Sequence, residues 1–198
     1  HEAKALGINS QVQALLRQDD GALWVSLPSR GLGYLRSDWR RTAVLDASHG
    51  LEGGLYRGIA PASRGGVWLA GSSGEVEWLD TATGAVEKQL AQPLGWRPNA
   101  ILEDRNGNLW LDQGSDLVQV ERSVADVKPR TRVLAAEHGS GDPIMWMRPA
   151  RDGDLWIASA SGGLQRRDPA GQLLDAVPAQ APGLGLTGVS TFVLSPEG

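Results

Sequence analysis

Short apolar runs alternate with turn residues along the chain, and one phrase in this pattern recurs four times. In its clearest copy, residues 103–111, an apolar run ends, Asn106-Gly107 follows, and a second apolar run begins with Leu109-Trp110. Asn-Gly between two apolar runs is typical of a β-hairpin, because a type I′ turn needs positive φ at both central residues. The phrase therefore predicts two antiparallel strands joined by a tight turn.

A tryptophan follows this turn in every copy, and a glycine stands three residues before it. The four tryptophans, spaced 44, 42 and 46 residues apart, are Trp24, Trp68, Trp110 and Trp156. A period of this length marks a repeat architecture. Gly198 fits the glycine place of a fifth copy, whose tryptophan would fall at position 201. We therefore expect these 198 residues to be a piece of a longer protein.

Each repeat holds four short apolar runs separated by Gly, Ser and Asp, a pattern that favours strands over helices. In the first repeat the predicted strands are residues 12–17, 23–27, 31–35 and 42–46. Four antiparallel strands in ~40–50 residues are typical of a β-propeller blade. The predicted fold is all-β, a β-propeller segment of about four four-stranded blades plus the start of a fifth. The predicted blades are about 8–50, 51–95, 96–138 and 139–183, and residues 184–198 begin the next blade.

A large, flat side chain at a fixed place in each blade suits packing between neighbouring blades, so the motif tryptophans are expected in the core. The composition, with 41% hydrophobic and 21% charged residues, is that of a globular protein. A net charge of −4 without long charged runs argues against nucleic-acid binding. The chain has no Cys, which excludes disulfides and thiolate chemistry. The uncharged stretch 176–196 contains several Pro and Gly, so no membrane span is predicted there.

No residue pattern predicts a catalytic residue, a metal site or a cofactor. Residues 104–108 have a faint likeness to a calcium loop, but they lack its spacing and its following Glu. His1, His49 and His138 are far apart in sequence, whereas a zinc site needs closer or more numerous ligands. There is no G-x-S-x-G nucleophile elbow, and residues 71–74 lack the Lys of a phosphate loop.

Binding through loops is the remaining chemistry. In a propeller the loops before the first strand and between the second and third strands share one face around the channel mouth, a common place for a ligand. Aromatic faces with Arg, Asn and Asp nearby suit a saccharide or a peptide strand. The candidate ligand-binding residues assigned to these loops are Arg57, Trp96, Arg97, Asn99, Asp142 and Trp146. The alternative for each is an ordinary loop residue or blade-edge packing.

The pattern D-x-(N)-G-x-L-W-[VLI] in these copies resembles the two-component-regulator propeller repeat. The match is clearest in residues 100–121 and 151–168, and residues 58–80 lack the acidic turn residue. The family's usual Gly-Thr after the Trp strand is replaced in all four repeats. The resemblance implies a periplasmic sensor region, usually seven-bladed, of a membrane-anchored receptor. It also implies a small ligand, often a saccharide, and a histidine kinase or diguanylate cyclase output outside this chain.

Other interpretations stay open beside this one. The repeats also resemble propeller lyases of the streptogramin-inactivating kind, which need a His, Glu and metal constellation. A third interpretation is a scaffold that binds protein through its rim. Open blade edges further predict self-association of an isolated segment. The preferred interpretation is a non-catalytic periplasmic sensor module that binds a small molecule and reaches the membrane only through segments outside this chain.

Overall fold

Nine stretches of the chain are described by the computed structural model: residues 12–27, 31–38, 42–52, 54–88, 90, 94–121, 130–134, 142–150 and 152–178. Within them lie sixteen strands and one short 3-10 helix, and the strands form four antiparallel four-stranded sheets. In each sheet the strands lie side by side in chain order. The predicted all-β propeller segment of about four blades is therefore confirmed. Residues 184–198 lie outside the described part, and the blade boundaries stay a prediction.

The chain divides into two compact units, and the first spans His1–Pro98. Its first sheet contains β1 (Leu15–Arg17), β2 (Leu23–Leu27), β3 (Gly31–Leu35) and β4 (Thr42–Leu45). Its second sheet contains β5 (Tyr56–Pro61), β6 (Val67–Gly71), β7 (Val76–Leu79) and β8 (Val86–Lys88). A 3-10 helix that the sequence did not predict, Ala47–His49, follows β4 and is capped by the Asp46 carboxylate, which accepts from Ser48 N.

The second unit spans Asn99–Gly198 and also contains two sheets. The third sheet of the chain has β9 (Ile101–Glu103), β10 (Leu109–Gln113), β11 (Asp116–Glu121) and β12 (Arg130–Leu134). The fourth has β13 (Ile144–Pro149), β14 (Leu155–Ser159), β15 (Leu164–Arg167) and β16 (Leu173–Val177). Predicted and observed strands differ by a few residues at most in the first repeat, where β2 and β3 agree at both ends.

The hairpin turn before each motif tryptophan differs from the predicted type. In all four copies the glycine N–H donates to the carbonyl three residues earlier, as from Gly107 to Asp104 at 2.9 Å. The central residues of that turn are therefore Arg105 and Asn106, and the glycine, with φ of 81°, closes it in the left-handed region. A three-residue loop of this kind, a turn followed by a left-handed Gly, replaces the predicted two-residue type I′ turn.

The motif tryptophan of the first sheet in each unit packs against the second sheet of that unit. In the first unit Trp24 lies in a buried cluster with Ile59 and Leu69 of the second sheet. In the second unit Trp110 lies in a cluster with Leu155 of the fourth sheet. Each interface is formed by the Trp face of one sheet and the opposite face of the sheet that follows.

Three of the four motif tryptophans are confirmed as core residues: Trp24 is 2% exposed, and Trp68 and Trp110 are 0% exposed. The prediction is wrong for Trp156, which is only half-buried. In both described interfaces the tryptophan is covered by the sheet that follows it in the chain. The described residues end at position 178, so no sheet of described residues follows the sheet that contains Trp156.

Gly66→Ala is expected to destabilise the first unit more than Gly65→Ala. Both glycines have positive φ, 79° and 87°, so alanine costs about 1–2 kcal/mol at either place. A Cβ on Gly66 would also lie 2.2 Å from Leu79 O, whereas none of the neighbouring atoms lies within 4 Å of one on Gly65. Urea unfolding followed by circular dichroism measures both variants, and equal losses would contradict the steric argument.

Candidate functional site

The loop before the first strand of a sheet and the turn between its second and third strands meet at one end of that sheet, which we call the loop end. In the second sheet Ser72 N, in the β6–β7 turn, donates to Leu55 O at 2.8 Å. In the fourth sheet Ala160 N donates to Pro143 O at 2.9 Å. These bonds join the two loops that the sequence predicted to share a face.

The lead-in to the following sheet adds to the loop end. Leu94 N donates to Gly74 O at 2.8 Å, and Ile144 N donates to Gly114 O at 2.8 Å. Gly74 has φ of 95°, and a Cβ there would lie 2.2 Å from Leu94 O, so the close approach requires glycine. Backbone hydrogen bonds thus fix the framework from which the loop-end side chains project.

Three of the predicted ligand-binding residues, Arg57, Trp96 and Arg97, belong to the first unit. Trp96 is half-buried and Arg97 is exposed, and both lie in the segment after β8, as predicted for loop residues. The loop position predicted for Arg57 is wrong, because it lies within β5. It is the extra residue of a bulge, since Tyr56 pairs with Gly71 and Gly58 with Ala70. Arg57 nevertheless lies next to the loop end, because Leu55, two residues earlier, accepts the loop-end hydrogen bond from Ser72 N.

Asn99, in the second unit, is held by a buried carboxylate of its own sheet. Asp112 Oδ1 accepts from Asn99 N at 2.6 Å and from Ala100 N at 2.8 Å, and Asp112 Oδ2 accepts from Asn99 Nδ2 at 3.1 Å. Asp112 lies in β10 and is 0% exposed. These contacts give Asn99 a structural role in the start of β9, which agrees with the alternative interpretation of an ordinary loop residue.

Burial dominates the acid–base behaviour of Asp112. It raises the pKa of the carboxyl to about 6, against the opposing effect of the three hydrogen bonds. The sequence analysis did not single out Asp112. Its place, two residues after the motif tryptophan, holds Ser26, Ala70 and Ala158 in the other repeats. An acidic residue at a place that holds a small residue in the other three repeats was the sequence signal that could have identified Asp112.

Asp142 is bound to the turn of its own sheet. Its carboxylate oxygens accept from Ser161 N, each at 3.1 Å, and from Ser161 Oγ. Partial burial alone would raise the pKa of the Asp142 carboxyl, but hydrogen bonds from Ser159 and Ser161 outweigh it and the pKa lies below its ordinary value. Asp142 is therefore an ionised anchor between the lead-in to β13 and the β14–β15 turn.

Trp146 was predicted to lie in a loop, and this is wrong: it lies inside β13. Its register partner is Ala158, and Arg148, two residues on, pairs with Trp156. Trp146 is half-buried, and the Arg148 guanidinium carbon lies 5.8 Å from its ring centroid. Burial lowers the pKa of the Arg148 guanidinium. The Trp146 ring thus lies on the sheet face that carries Trp156.

A second buried polar group, which the sequence analysis also missed, links the two sheets of the first unit. Ser26 Oγ donates to Tyr56 O, and Tyr56 Oη donates to the Glu77 carboxylate. Glu77 also accepts from Glu52 N at 2.9 Å. Burial raises the pKa of the Glu77 carboxyl, and the hydrogen bonds from Tyr56 and Glu52 oppose that rise. This network stabilises the interface between the first and second sheets.

Among the described residues, no group of three or more His, Cys, Asp or Glu side chains is placed to hold a metal ion. His49 caps the 3-10 helix beside Asp46, with Nδ1 3.0 Å from the carboxylate. His1 and His138 lie outside the described residues. In the same part of the chain, none of the helices has the length and apolar character needed to cross a membrane.

The candidate residues thus fall into two groups, Arg57, Trp96 and Arg97 in the first unit and Asn99, Asp142 and Trp146 in the second. Asn99 and Asp142 have the structural partners given above. The assignment of all six to ligand binding stays a prediction.

No protein-family model matches the chain. None of the curated proteins matches it either. Solved structures do match. Virginiamycin B lyase from Staphylococcus aureus is 14% identical, with a TM-score of 0.68, over 88% of this chain and 58% of that protein. The extracellular domain of a hybrid two-component system from B. thetaiotaomicron is 17% identical, with a TM-score of 0.63, over 94% of this chain and 25% of that one.

The extracellular domain of another hybrid two-component system from B. thetaiotaomicron is 16% identical, with a TM-score of 0.59, over 91% of this chain and 24% of that one. This chain therefore spans between 24% and 58% of the length of these proteins. At such identities the likeness shows the fold alone, a β-propeller segment. The resemblance predicted from the repeats, to the propellers of two-component regulators, is confirmed as a likeness of fold.

Proposed function

We propose that this chain is part of an extracytoplasmic sensor propeller that binds a small ligand and is not itself catalytic. The observation that carries the proposal is the likeness of fold, over more than nine tenths of the chain, to extracellular domains of two hybrid two-component systems. In that setting the chain lies in the periplasm, and the membrane span and output domain belong to other parts of the protein. The predicted total of seven blades belongs to the same proposal.

The loop ends are the proposed place of ligand binding. They are junctions of several loops fixed by backbone hydrogen bonds, and preorganised loops lower the entropic cost of binding. In the first unit, the half-buried ring of Trp96 and the exposed guanidinium of Arg97 are neighbours in one such loop. A ring face and a fork of N–H donors suit a saccharide, preferably one that carries a carboxylate.

Trp96→Ala and Arg97→Ala are each expected to weaken saccharide binding about tenfold or more, because each removes a direct contact. The probes are a panel of neutral and uronic-acid-containing oligosaccharides, and titration calorimetry measures the dissociation constants. Arg64→Ala is the matched control. Arg64 is an exposed arginine in the β5–β6 turn, at the opposite end of the second sheet, and its guanidinium carbon lies 3.6 Å from the Trp78 ring centroid. Its loss should leave binding unchanged. Equal effects at the two ends would count against a loop-end site.

A propeller lyase is the second candidate function, because virginiamycin B lyase matches with a TM-score of 0.68. One measurement distinguishes the two candidate functions. The chain is incubated with virginiamycin B and divalent metal, and the antibiotic is followed by mass spectrometry. Turnover would favour the lyase, whereas saturable saccharide binding without turnover would favour the sensor module.

A further inference from the structure

The turn before Trp110 contains the pair Asn106-Gly107, which has no part in the proposed function. Of the four asparagines in the chain, Asn106 is followed by glycine, and the other three are followed by serine, alanine and leucine. The Asn106 side chain is exposed to water. The turn joins β9 and β10, so it lies at the end of the third sheet opposite the loop end.

An asparagine before glycine reacts with its own backbone in water. The glycine nitrogen attacks the side-chain carbonyl carbon of the asparagine, a C–N bond forms, and the side-chain nitrogen leaves as ammonia with the proton of the glycine N–H. The succinimide ring that results then adds water and opens to aspartate or to isoaspartate. Glycine favours the attack because it has no Cβ to hinder the approach.

We propose that Asn106 is a site of non-enzymatic deamidation, and that the Asp104 residue keeps the site closed in the folded protein. Gly107 N, the atom that must attack, donates to Asp104 O at 2.9 Å. A nitrogen whose proton is held in this bond does not attack Asn106 until the turn opens. The observed rate is therefore the intrinsic rate multiplied by the fraction of time that the turn is open.

The Asp104 carboxylate holds the turn closed through four hydrogen bonds to the loop and to the motif tryptophan. Its Oδ1 accepts from Asn106 N at 2.8 Å and from Asn108 N at 2.9 Å. Its Oδ2 accepts from Asn108 Nδ2 at 3.0 Å and from Trp110 Nε1 at 2.9 Å. Asp104 is 3% exposed, and hydrogen bonds to a carboxylate shielded from water are strong. Opening of the turn therefore requires a buried network to break.

Two other repeats show that an aspartate fits the place of Asn106. The residue directly before the motif glycine is Asp20 in the first repeat and Asp152 in the fourth. Asp20 Oδ1 accepts from Ala22 N at 2.9 Å. Asp152 Oδ1 accepts from Asp154 N at 3.0 Å. The aspartate product thus has a carboxylate that such a turn can accommodate.

The isoaspartate product does not fit in the same way, because it places one extra carbon in the backbone. That carbon lengthens the loop between Asp104 and Gly107 and displaces the nitrogen that closes the turn. The four bonds to the Asp104 carboxylate, including the one from Trp110 Nε1, depend on this closed loop. Isoaspartate formation therefore loosens the turn, whereas aspartate formation adds a negative charge and leaves the turn closed.

The test follows Asn106 by peptide mass spectrometry during incubation at mildly alkaline pH, and isoaspartyl methyltransferase identifies the isoaspartate. Conversion should be slow in the folded parent. It should be about tenfold faster or more in guanidinium chloride that unfolds the chain, because the turn is then open throughout. Asp104→Asn keeps the side-chain shape but replaces an acceptor oxygen by a donor. It should raise the rate in the folded protein about threefold or more.

Asn108 is the internal control, because it lies in the same loop but is followed by Leu109. It should stay unconverted while Asn106 reacts. Equal rates at Asn106 in the folded and unfolded parent would overturn the proposal, and so would an unfolded chain in which Asn106 does not react faster than Asn108. A third contradicting result is Asp104→Asn that is folded by circular dichroism and reacts no faster than the parent. The comparison of folded and unfolded parent does not depend on that variant.

Discussion

Trp110→Ala is expected to lower the free energy of unfolding of the second unit by about 3–5 kcal/mol, the range for removing a fully buried tryptophan. The ring fills the interface between the third and fourth sheets. Its Nε1 also donates to Asp104 Oδ2 at 2.9 Å, so the substitution removes a donor from a carboxylate that is itself buried. Denaturant unfolding followed by far-ultraviolet circular dichroism measures the loss without relying on tryptophan fluorescence.

Trp156→Ala is the matched control, because it removes the same side chain from the same place in the next repeat. Trp156 is half-buried, so its loss should cost roughly half as much or less. Trp110→Phe should lower the free energy of unfolding by an amount between those of Trp110→Ala and Trp156→Ala. It keeps most of the apolar volume but loses the hydrogen bond. If Trp110→Ala and Trp156→Ala lowered the free energy of unfolding equally, the stabilisation by Trp110 would not come from its packing against the following sheet.

Asp112→Asn is expected to stabilise the second unit at neutral pH. In the native protein the Asp112 pKa is raised from 3.8 to about 6, so the folded state binds the proton more tightly than the unfolded state. Stability from this group is therefore full below pH 3.8, falls as the pH rises, and is lost above about pH 6. A rise of this size corresponds to on the order of 3 kcal/mol.

Asparagine removes that penalty and can keep the hydrogen bonds. Its Oδ1 can accept from Asn99 N and Ala100 N, and its Nδ2 can donate to the Asn99 amide oxygen once that amide is turned over. We expect Asp112→Asn to exceed the parent in stability at pH 8 by about 1–3 kcal/mol and to match it at pH 4. Urea unfolding at pH steps between 4 and 8 measures the difference.

Asp112→Ala separates the charge from the hydrogen bonds. It leaves two backbone N–H groups of the β9 lead-in without their acceptor, at a cost of about 1–3 kcal/mol for each buried group that stays unpaired. It should therefore be less stable than Asp112→Asn at every pH. A parent curve that does not fall relative to Asp112→Asn between pH 4 and pH 7 would contradict the raised pKa of Asp112.

Much of the fold could be predicted from the sequence, because strands of this kind are specified locally. In the first repeat β2 and β3 were predicted at both ends, since apolar runs and turn residues mark them directly. The turn type was wrong because the dipeptide Asn106-Gly107 also fits a longer loop, and only the hydrogen bond from Gly107 to Asp104 distinguishes the two.

The candidate site was less predictable, because burial of a polar side chain depends on the sheet packed against it. Asp112 and Arg148 read as ordinary strand residues in the sequence, and their raised and lowered pKa values arise from burial. Arg57 and Trp146 were assigned to loops, yet both lie in strands at bulges or next to them. A bulge adds one residue without a strong sequence signal, so the side-chain direction after it could not be read from alternation.

The packing of Trp24 and Trp110 against the sheet that follows each of them also bears on how each unit folds. Nearly every stabilising contact described within a unit joins strands adjacent in sequence or sheets of consecutive repeats. Contacts between neighbours in sequence favour fast folding, and within a unit they let structure grow from one repeat to the next. The coupling also has a direction. A substitution that unfolds the second sheet of a unit removes the cover from the tryptophan of the first sheet, so within a unit the damage spreads toward the amino terminus.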